Sequence, residues 1–211
     1  IRDDKVDEVS REDQEFMILE SRFLEKPAFA VEQGRNAAKH MEQDSRKILD
    51  IALGLIYSYS DEQAERVQKL ESKIDRYEDE LGTYLVKLNN KDLSERDSHS
   101  VSIMLHCIGD FERISDHAVN IMESAQELHE KNISFSPQAR NELQVLVAVV
   151  SRIVDTAYQV FDRQDLNLVS DVEPLEEIVD ELSKELKRRH VNRLRLGECT
   201  IEMGFILTDL I

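Results

Sequence analysis

Apolar side chains recur at alternating steps of three and four residues along most of this chain. That spacing places them on one stripe of an α-helix and is typical of helices that pack side by side. The 211 residues include only 6 glycines and 3 prolines, which leaves few turn formers for the hairpins of an all-β fold. The sequence therefore predicts an all-α protein made of long amphipathic helices.

The apolar stripes repeat with an offset of 105 residues, so the second half of the chain has the same apolar pattern as the first. The stripe of the first predicted helix coincides with that of the fourth, and the stripe of the second with that of the fifth. The predicted stripe residues are, for the first helix, Ala38, Met41, Ser45, Ile48, Ala52, Leu55 and Tyr59; for the second, Val67, Leu70, Ile74, Tyr77, Leu81, Tyr84 and Leu88; for the third, Val101, Met104, Ile108, Phe111, Ala118, Met122 and Ala125; for the fourth, Leu143, Leu146, Val150, Ile153, Ala157 and Val160; and for the fifth, Val172, Leu175, Val179, Leu182 and Leu186. Charged identities accompany the apolar ones, such as Asp50 with Asp155. We infer a tandem pair of three-helix bundles, the second incomplete in its last helix. The predicted domains are a lead-in segment and the two bundles: residues 1–27, 28–131 and 132–211.

Capping signals mark the predicted starts of three helices. A serine followed three residues later by an acidic residue resembles a capping box. A serine followed directly by proline suits the N-cap and the first helical position. These signals are Ser94 with Asp97, Ser136 with Pro137, and Ser170 with Glu173.

The net charge of −17 limits the function classes that the chain can serve. A field of that sign repels phosphate backbones, so we expect no nucleic-acid partner. It attracts cations, and carboxylates are good ligands for hard metal ions. Solubility alone is the simpler explanation of an acidic surface. The two cysteines, Cys107 and Cys199, have no metal-ligand spacing and indicate free thiols in a reducing compartment.

The sequence shows neither a transmembrane run nor a signal peptide. The longest uncharged runs, Ile51–Ser60 and Leu143–Ser151, fall well short of the ~20 apolar residues that cross a membrane. The first residues lack both an initiator Met and an apolar signal core. The last predicted helix reaches Ile211 without a cap. We expect this chain to be a fragment of a longer protein.

Two pairs of carboxylates have the spacing ExxxD, which places both members of a pair on one helix face. A hairpin turning at about residue 91.5 brings Glu71 level with Glu112, and so gathers Glu71, Asp75, Glu112 and Asp116 at one edge of the bundle. Like charges so close raise each other's pKa and oppose folding. Nearby cations could neutralise them as a solvated face, or a hard metal ion could bind them with Asn120 as a further contact. The candidate cations are Lys73, Arg76 and Arg113.

The run Phe111–Ile121, FERISDHAVNI, resembles the signature of PhoU proteins, regulators of bacterial phosphate uptake. The resemblance implies duplicated three-helix bundles with multinuclear metal clusters on paired E(D)xxxD motifs. It implies a cluster of Fe, Zn or Mn held by both pairs above. A second pair in the other bundle would form half of a further site, which is incomplete because the matching motif would lie beyond Ile211. That pair is Glu176 with Asp180.

Two further stretches resemble the PhoU-like domain that follows the membrane part of bacterial sodium/phosphate cotransporters. They are Leu19–Ala28 and Gly197–Phe205. The resemblance implies a cytoplasmic regulatory domain at the inner membrane, with the membrane domain of the same transporter as partner and a homodimer as a further possibility. Ser115 departs from the family pattern, in which Gly is frequent at that place.

Two alternatives to the cotransporter domain stay open at this point. One is a stand-alone PhoU-type regulator of phosphate uptake, and the other is a helical adaptor without metal. We expect no enzyme, because the chain lacks a P-loop, a GxGxxG run and a nucleophile elbow. The one basic cluster, Lys187–His190 with Arg193 and Arg195, suits a helix C-terminus or contact with a membrane surface or transporter loop.

Overall fold

The computed structural model describes residues 15–163 and 166–211, and these ranges contain helices and no β-strand. The predicted all-α fold is confirmed. Short 3₁₀ helices cover Met17–Leu19, Ser21–Glu25 and Leu166–Asp171. The α-helices, numbered in chain order, are α1 Pro27–Leu55, α2 Asp61–Asn89, α3 Glu95–Glu130, α4 Pro137–Arg163, α5 Val172–Arg195 and α6 Ile201–Asp209. Residues 1–14 of the predicted lead-in segment lie outside the described residues.

The chain packs as two compact units whose boundaries fall within α1, α2 and α3. Of the described residues, the first unit contains those up to Leu49 together with Arg66–His117, and the second contains Asp50–Glu65 and those from Ala118 to Ile211. This division does not follow the order of the chain. The predicted domains, which follow the sequence repeat, therefore stay a prediction.

The core of the first unit contains the predicted stripe residues from Ala38 to Ile48 of α1, from Val67 to Leu88 of α2 and from Val101 to Phe111 of α3. Every predicted stripe residue of α2 is buried, and Ile74, Tyr77 and Leu81 are wholly inaccessible to solvent. The hydroxyl of Ser45 is also buried and donates to the carbonyl of Phe111 at 3.1 Å, so this polar stripe position is satisfied. Burial of these stripes is the main stabilising term of the bundle.

Gly34 allows α1 to approach α2 closely. A Cβ at this position would lie 3.0 Å from Cδ2 of Leu85, which is tighter than ordinary van der Waals contact. Nearby, the hydroxyl of Tyr84 donates to the carbonyl of Ala30 at 3.4 Å. The absence of a side chain at Gly34 thus lets Tyr84 of α2 reach α1.

Two of the three predicted caps are confirmed. Ser94 Oγ accepts from the amide of Asp97 at 3.1 Å and donates to its carboxylate at 2.8 Å, so the two side chains close a box at the start of α3. Ser136 Oγ accepts from the amide of Ala139 at 3.2 Å at the start of α4.

The third predicted cap, Ser170 with Glu173, is wrong. Ser170 lies inside a 3₁₀ helix that leads directly into α5, and its hydroxyl donates to the carbonyl of Asn167 at 3.0 Å. The N-cap position falls on Asp171, whose backbone is helical at φ −87 and ψ −14 and whose side chain makes no capping bond. A side-chain cap needs an extended backbone at this position, which the preceding 3₁₀ turn prevents.

The second unit has its core at the end where α4, α5 and α6 meet. Buried leucines from the three helices pack together there: Leu143, Leu146, Leu186 and Leu207. Thr200 caps α6 by accepting from the amide of Met203 at 3.2 Å. Gly197, at φ +72, ends α5 in the left-handed conformation that glycine adopts without strain.

Away from that core, the predicted stripes of α4 and α5 are only partly covered. Val150, Ile153 and Val179 are half-buried, and Ala157 is exposed while its neighbour Tyr158 is buried. The described part of α6 has only nine residues, whereas α3, its counterpart in the repeat, has 36. A short third helix covers one end of the stripe and leaves the rest open.

One described helix, α4, is long and apolar enough to cross a membrane by length and composition alone. The uncharged run Leu143–Ser151 is too short to cross a membrane, and the longer apolar stretch of α4 includes the charged residues Arg152 and Asp155. Leu143 and Leu146 of this helix belong to the core of the second unit, but only 17% of the apolar stretch is buried.

Candidate functional site

Four carboxylates of α2 and α3 come together in the first unit: Asp75, Glu78, Glu112 and Asp116. We call these four residues the carboxylate cluster. Glu112 is half-buried, and its pKa is raised by burial first, then by the charge of Asp116 and a hydrogen bond with it. Glu78 and Asp75 raise it further. Negative charges on both helices therefore act on the carboxyl group of Glu112.

The structure adds one residue that the sequence analysis missed, Glu78. It lies three residues after Asp75 and therefore on a neighbouring part of the same helix face. A search for acidic residues at either helical spacing, rather than for ExxxD alone, would have found it. Glu71 is half-buried, and its described hydrogen bond comes from the hydroxyl of Ser72 at 3.2 Å. Its membership in the cluster stays a prediction.

The cations proposed as partners of these carboxylates form ion pairs elsewhere. Lys73 Nζ lies 2.6 Å from a carboxylate oxygen of Glu15 and 2.8 Å from one of Asp44. Arg76 binds Glu80 at 2.7 Å. Arg113 is 4.0 Å from Asp110, at the limit of an ion pair. These contacts do not supply the neutralisation that the solvated-face interpretation requires.

The carboxylate cluster has donor atoms that suit a metal ion, but its side chains are not positioned to bind one. Among the residues that the structure describes, no three His, Cys, Asp or Glu side chains are arranged to hold one ion. All four members nevertheless offer oxygen ligands, which hard cations prefer. Burial first, and then the nearby negative charges, raise the pKa of Glu112, and a cation would offset the contribution of those charges. Ligation would require these side chains to turn toward a common point.

The remaining predicted ligands lie on exposed surfaces. Asn120 of α3 is exposed, and so are Glu176 and Asp180 of α5. The carboxylate of Asp180 lies 3.3 Å from Nζ of Lys184, one helical turn later. A pair of this kind on a helix surface contributes little to stability. The second metal site stays a prediction.

Several residues of the basic cluster at the end of α5 form ion pairs with acidic residues of the same unit. Arg189 and Arg193 both bind Glu142 of α4, at 3.1 and 2.8 Å. Burial tends to raise the pKa of Glu142, but hydrogen bonds from Arg193 and Arg189 outweigh it and lower that pKa. Arg193 and His190 are buried. Much of the cluster thus joins α5 to α4 and does not form a continuous basic surface.

Two comparisons with known proteins found similarity to part of this chain. Residues 38–125 match the family model of the PhoU domain. The chain is also similar to the phosphate-specific transport system accessory protein PhoU homolog 1 of Thermotoga maritima, with 29% identity over 97 residues. The aligned segment covers 46% of this chain and 41% of that protein, so it spans less than half the length of the relative. The resemblance to PhoU is confirmed for this domain, and the cotransporter subgroup stays a prediction.

Proposed function

We propose that this chain regulates phosphate transport through its PhoU domain. The observation that carries the proposal is the match of residues 38–125, which covers most of α1 and α3 and all of α2. The same residues form buried stripes in the structure, so the match concerns a folded bundle rather than a short motif. The similar Thermotoga maritima protein is named as an accessory protein of phosphate-specific transport. This resemblance supports a binding and regulatory role rather than catalysis.

Phosphate uptake by cells tests the regulatory role. In a strain whose gene for this chain lacks the codons for 28–131, we expect uptake that no longer falls when external phosphate is raised. The intact gene restores the response. A control strain carries exchanges of exposed acidic residues, Glu177→Gln and Glu181→Gln. Uptake that responds to phosphate equally in the deletion and intact strains would contradict the proposal.

We further propose that the chain is the cytoplasmic domain of a sodium/phosphate cotransporter, located at the inner membrane and acting on the membrane domain of that protein. The similarity of Leu19–Ala28 and Gly197–Phe205 to that subgroup supports this choice. A stand-alone regulator, including one that forms a homodimer, is equally compatible with the PhoU match. Reading the gene upstream of the codon for Ile1 decides: encoded apolar spans support the cotransporter, and a start codon there excludes it.

The carboxylate cluster is proposed to bind a metal ion, with Fe, Zn or Mn as candidates. Glu112 and Asp116 would supply oxygen ligands from α3, and Asp75 and Glu78 from α2. The convergence of these charges on Glu112 supports the proposal. A helical adaptor without metal is the alternative.

Metal content tests this part of the proposal. Protein purified without chelator should contain an oxygen-binding metal ion by elemental analysis. The double variant Glu112→Gln with Asp116→Asn should lose it, because two of the oxyanion ligands become neutral amides. The double variant Glu177→Gln with Glu181→Gln removes the same charge at the same spacing on α5 and should retain the metal. Equal content in all three proteins would favour the adaptor.

A further inference from the structure

A cavity of ≈ 250 Å³ lies in the second unit, and we call it the aromatic cavity. Three parts of the chain form its wall: the end of α1 with the connection to α2, the end of α3 with the connection to α4, and the first turn of α4. An apolar cavity of about 150 Å³ is already large enough to admit benzene. The aromatic cavity therefore has room for a planar ring system with a substituent.

Aromatic side chains form much of the cavity wall. Phe, Trp and Tyr make up only 6% of the chain, yet two tyrosines, a phenylalanine and a histidine line this cavity. They are Tyr57, Tyr59, Phe135 and His129. The rings of Tyr59 and His129 stack on each other with centroids 4.7 Å apart. Because aromatic rings attract one another in stacked and edge-to-face contacts, this wall favours a ligand that contains an aromatic ring.

Arg140 gives the cavity a positive charge. Its Cζ lies 5.3 Å from the ring centroid of Tyr57, and its Nη2 donates to the carbonyl of Tyr57 at 3.5 Å, so the guanidinium is held beside the wall. The side chain is exposed, and no carboxylate of the described residues pairs with it. Its other N–H groups are therefore available to an anionic ligand. Two more exposed polar side chains, Asn132 and Ser134, also line the cavity.

The charges around the cavity favour an anionic ligand over a cationic one. The chain has 44 acidic residues, but none of the described residues that line the cavity is Asp or Glu. A bound cation would thus face the charge of Arg140 without a compensating carboxylate. The pKa of Tyr59 is raised by burial first, then by Asp61 and Glu130, so negative charges do lie near that ring. The anionic group of a ligand is consequently favoured beside Arg140 and disfavoured beside Tyr59.

We propose that the aromatic cavity binds a small molecule that combines a planar aromatic ring with a phosphate or carboxylate group. The ring lies among Tyr57, Tyr59 and His129, and Arg140 donates to the anionic group. Mononucleotides and aromatic carboxylic acids share this chemistry. The inference goes beyond the proposed function and does not depend on the control of phosphate transport.

Titration calorimetry of the whole chain at constant ionic strength tests the site. The probes are AMP and benzoate, which have both features of the ligand. We expect saturable binding of at least one of them, and the one that binds identifies the source of the chemistry as a nucleotide or an aromatic acid. Adenosine, benzyl alcohol and ribose 5-phosphate each lack the anion or the aromatic ring and should bind at least about tenfold more weakly.

Two variants locate the binding in the aromatic cavity. Arg140→Gln should lower affinity for the anionic probe about tenfold or more, because it removes the charge that faces the anion. The matched control is Arg152→Gln, an exposed residue of the same helix outside the cavity, which should bind as the wild type does. Ser134→Trp puts a large side chain at an exposed position of the wall and should abolish binding, whereas Ser98→Trp on the surface of α3 should not.

Three results would overturn the proposal. The first is a wild-type protein without saturable binding of either AMP or benzoate at millimolar concentration. The second is a probe without the ring or without the anion that binds as tightly as the probe that has both. The third is equal affinity in Arg140→Gln and Arg152→Gln. If Arg140→Gln does not fold, undiminished binding by Ser134→Trp has the same consequence.

Discussion

At the scale of single residues, Glu112 shows how position decides the state of a carboxyl group. On the sequence it is one of 44 acidic residues. In the structure, burial and three acidic neighbours raise its pKa. The ExxxD spacing predicted the partner on its own helix, Asp116, since residues four apart share a helix face. It did not predict Glu78, because the rotation of α2 against α3 depends on the packing of the whole stripe.

Replacing Glu112 by Gln should stabilise the protein in chelator at neutral pH. The variant removes a like-charge pair at i,i+4, so the expected gain in unfolding free energy is about 0.2–0.5 kcal/mol. Chemical denaturation measures the difference. Asp92→Asn, in the exposed connection between α2 and α3, removes one negative charge outside any helix, serves as the control and should be neutral.

The same variant has an expected pH dependence. A folded-state pKa above the ordinary value of 4.5 means that the folded protein binds a proton more readily than the unfolded chain. The charge penalty of Glu112 is therefore absent below the unfolded pKa and appears as pH rises through the raised folded pKa. The advantage of Glu112→Gln should disappear in acid. If cations held Glu112 instead, Glu112→Gln would be less stable than the wild type at neutral pH, and that disadvantage would shrink as pH fell.

At the scale of helices, the sequence predicted stripes well and boundaries less well. All seven predicted stripe residues of α2 and all seven of α3 are buried, because the 3–4 spacing is a direct consequence of helix geometry. Tyr59, predicted on the first stripe, lies beyond the end of α1 and stacks on His129 at 4.7 Å between ring centroids. Its spacing continues the stripe, but α1 ends at Leu55, so periodicity alone missed the boundary.

The caps give a paired test at this scale. Ser136→Ala should lower the unfolding free energy by about 1 kcal/mol, because the amide of Ala139 loses its acceptor. Ser170→Ala should change it by less than about 0.5 kcal/mol, since that hydroxyl caps no helix. Thermal unfolding of both variants measures the contrast. A larger loss at Ser170 than at Ser136 would show that the start of α5 is wrongly understood.

At the scale of the whole chain, the two copies of the 105-residue repeat have equal apolar stripes but are buried to different extents. The sequence establishes equal stripes in both halves. The structure buries every predicted stripe residue of α2 and α3, whereas α4 and α5 keep half-buried positions such as Ile153 and Val179. Periodicity records which face a helix can bury, but the coverage of that face depends on the neighbouring helices. The sequence pattern alone could not predict that difference.

Hydrogen exchange of the native protein should reveal the difference in coverage. Local opening costs less where fewer apolar contacts are lost, so amides of 150–160 in α4 should exchange faster than those of 74–84 in α2. After correction for intrinsic rates, we expect at least about a tenfold difference in protection, or about 1.4 kcal/mol in opening free energy. Amides of 143–147, beside the buried leucines, provide the control within α4 and should be slower than those of 150–160. Equal protection along α4, at the level of α2, would mean that the half-buried stripe is as firmly held as the buried one, and that exposure does not govern local stability in this chain.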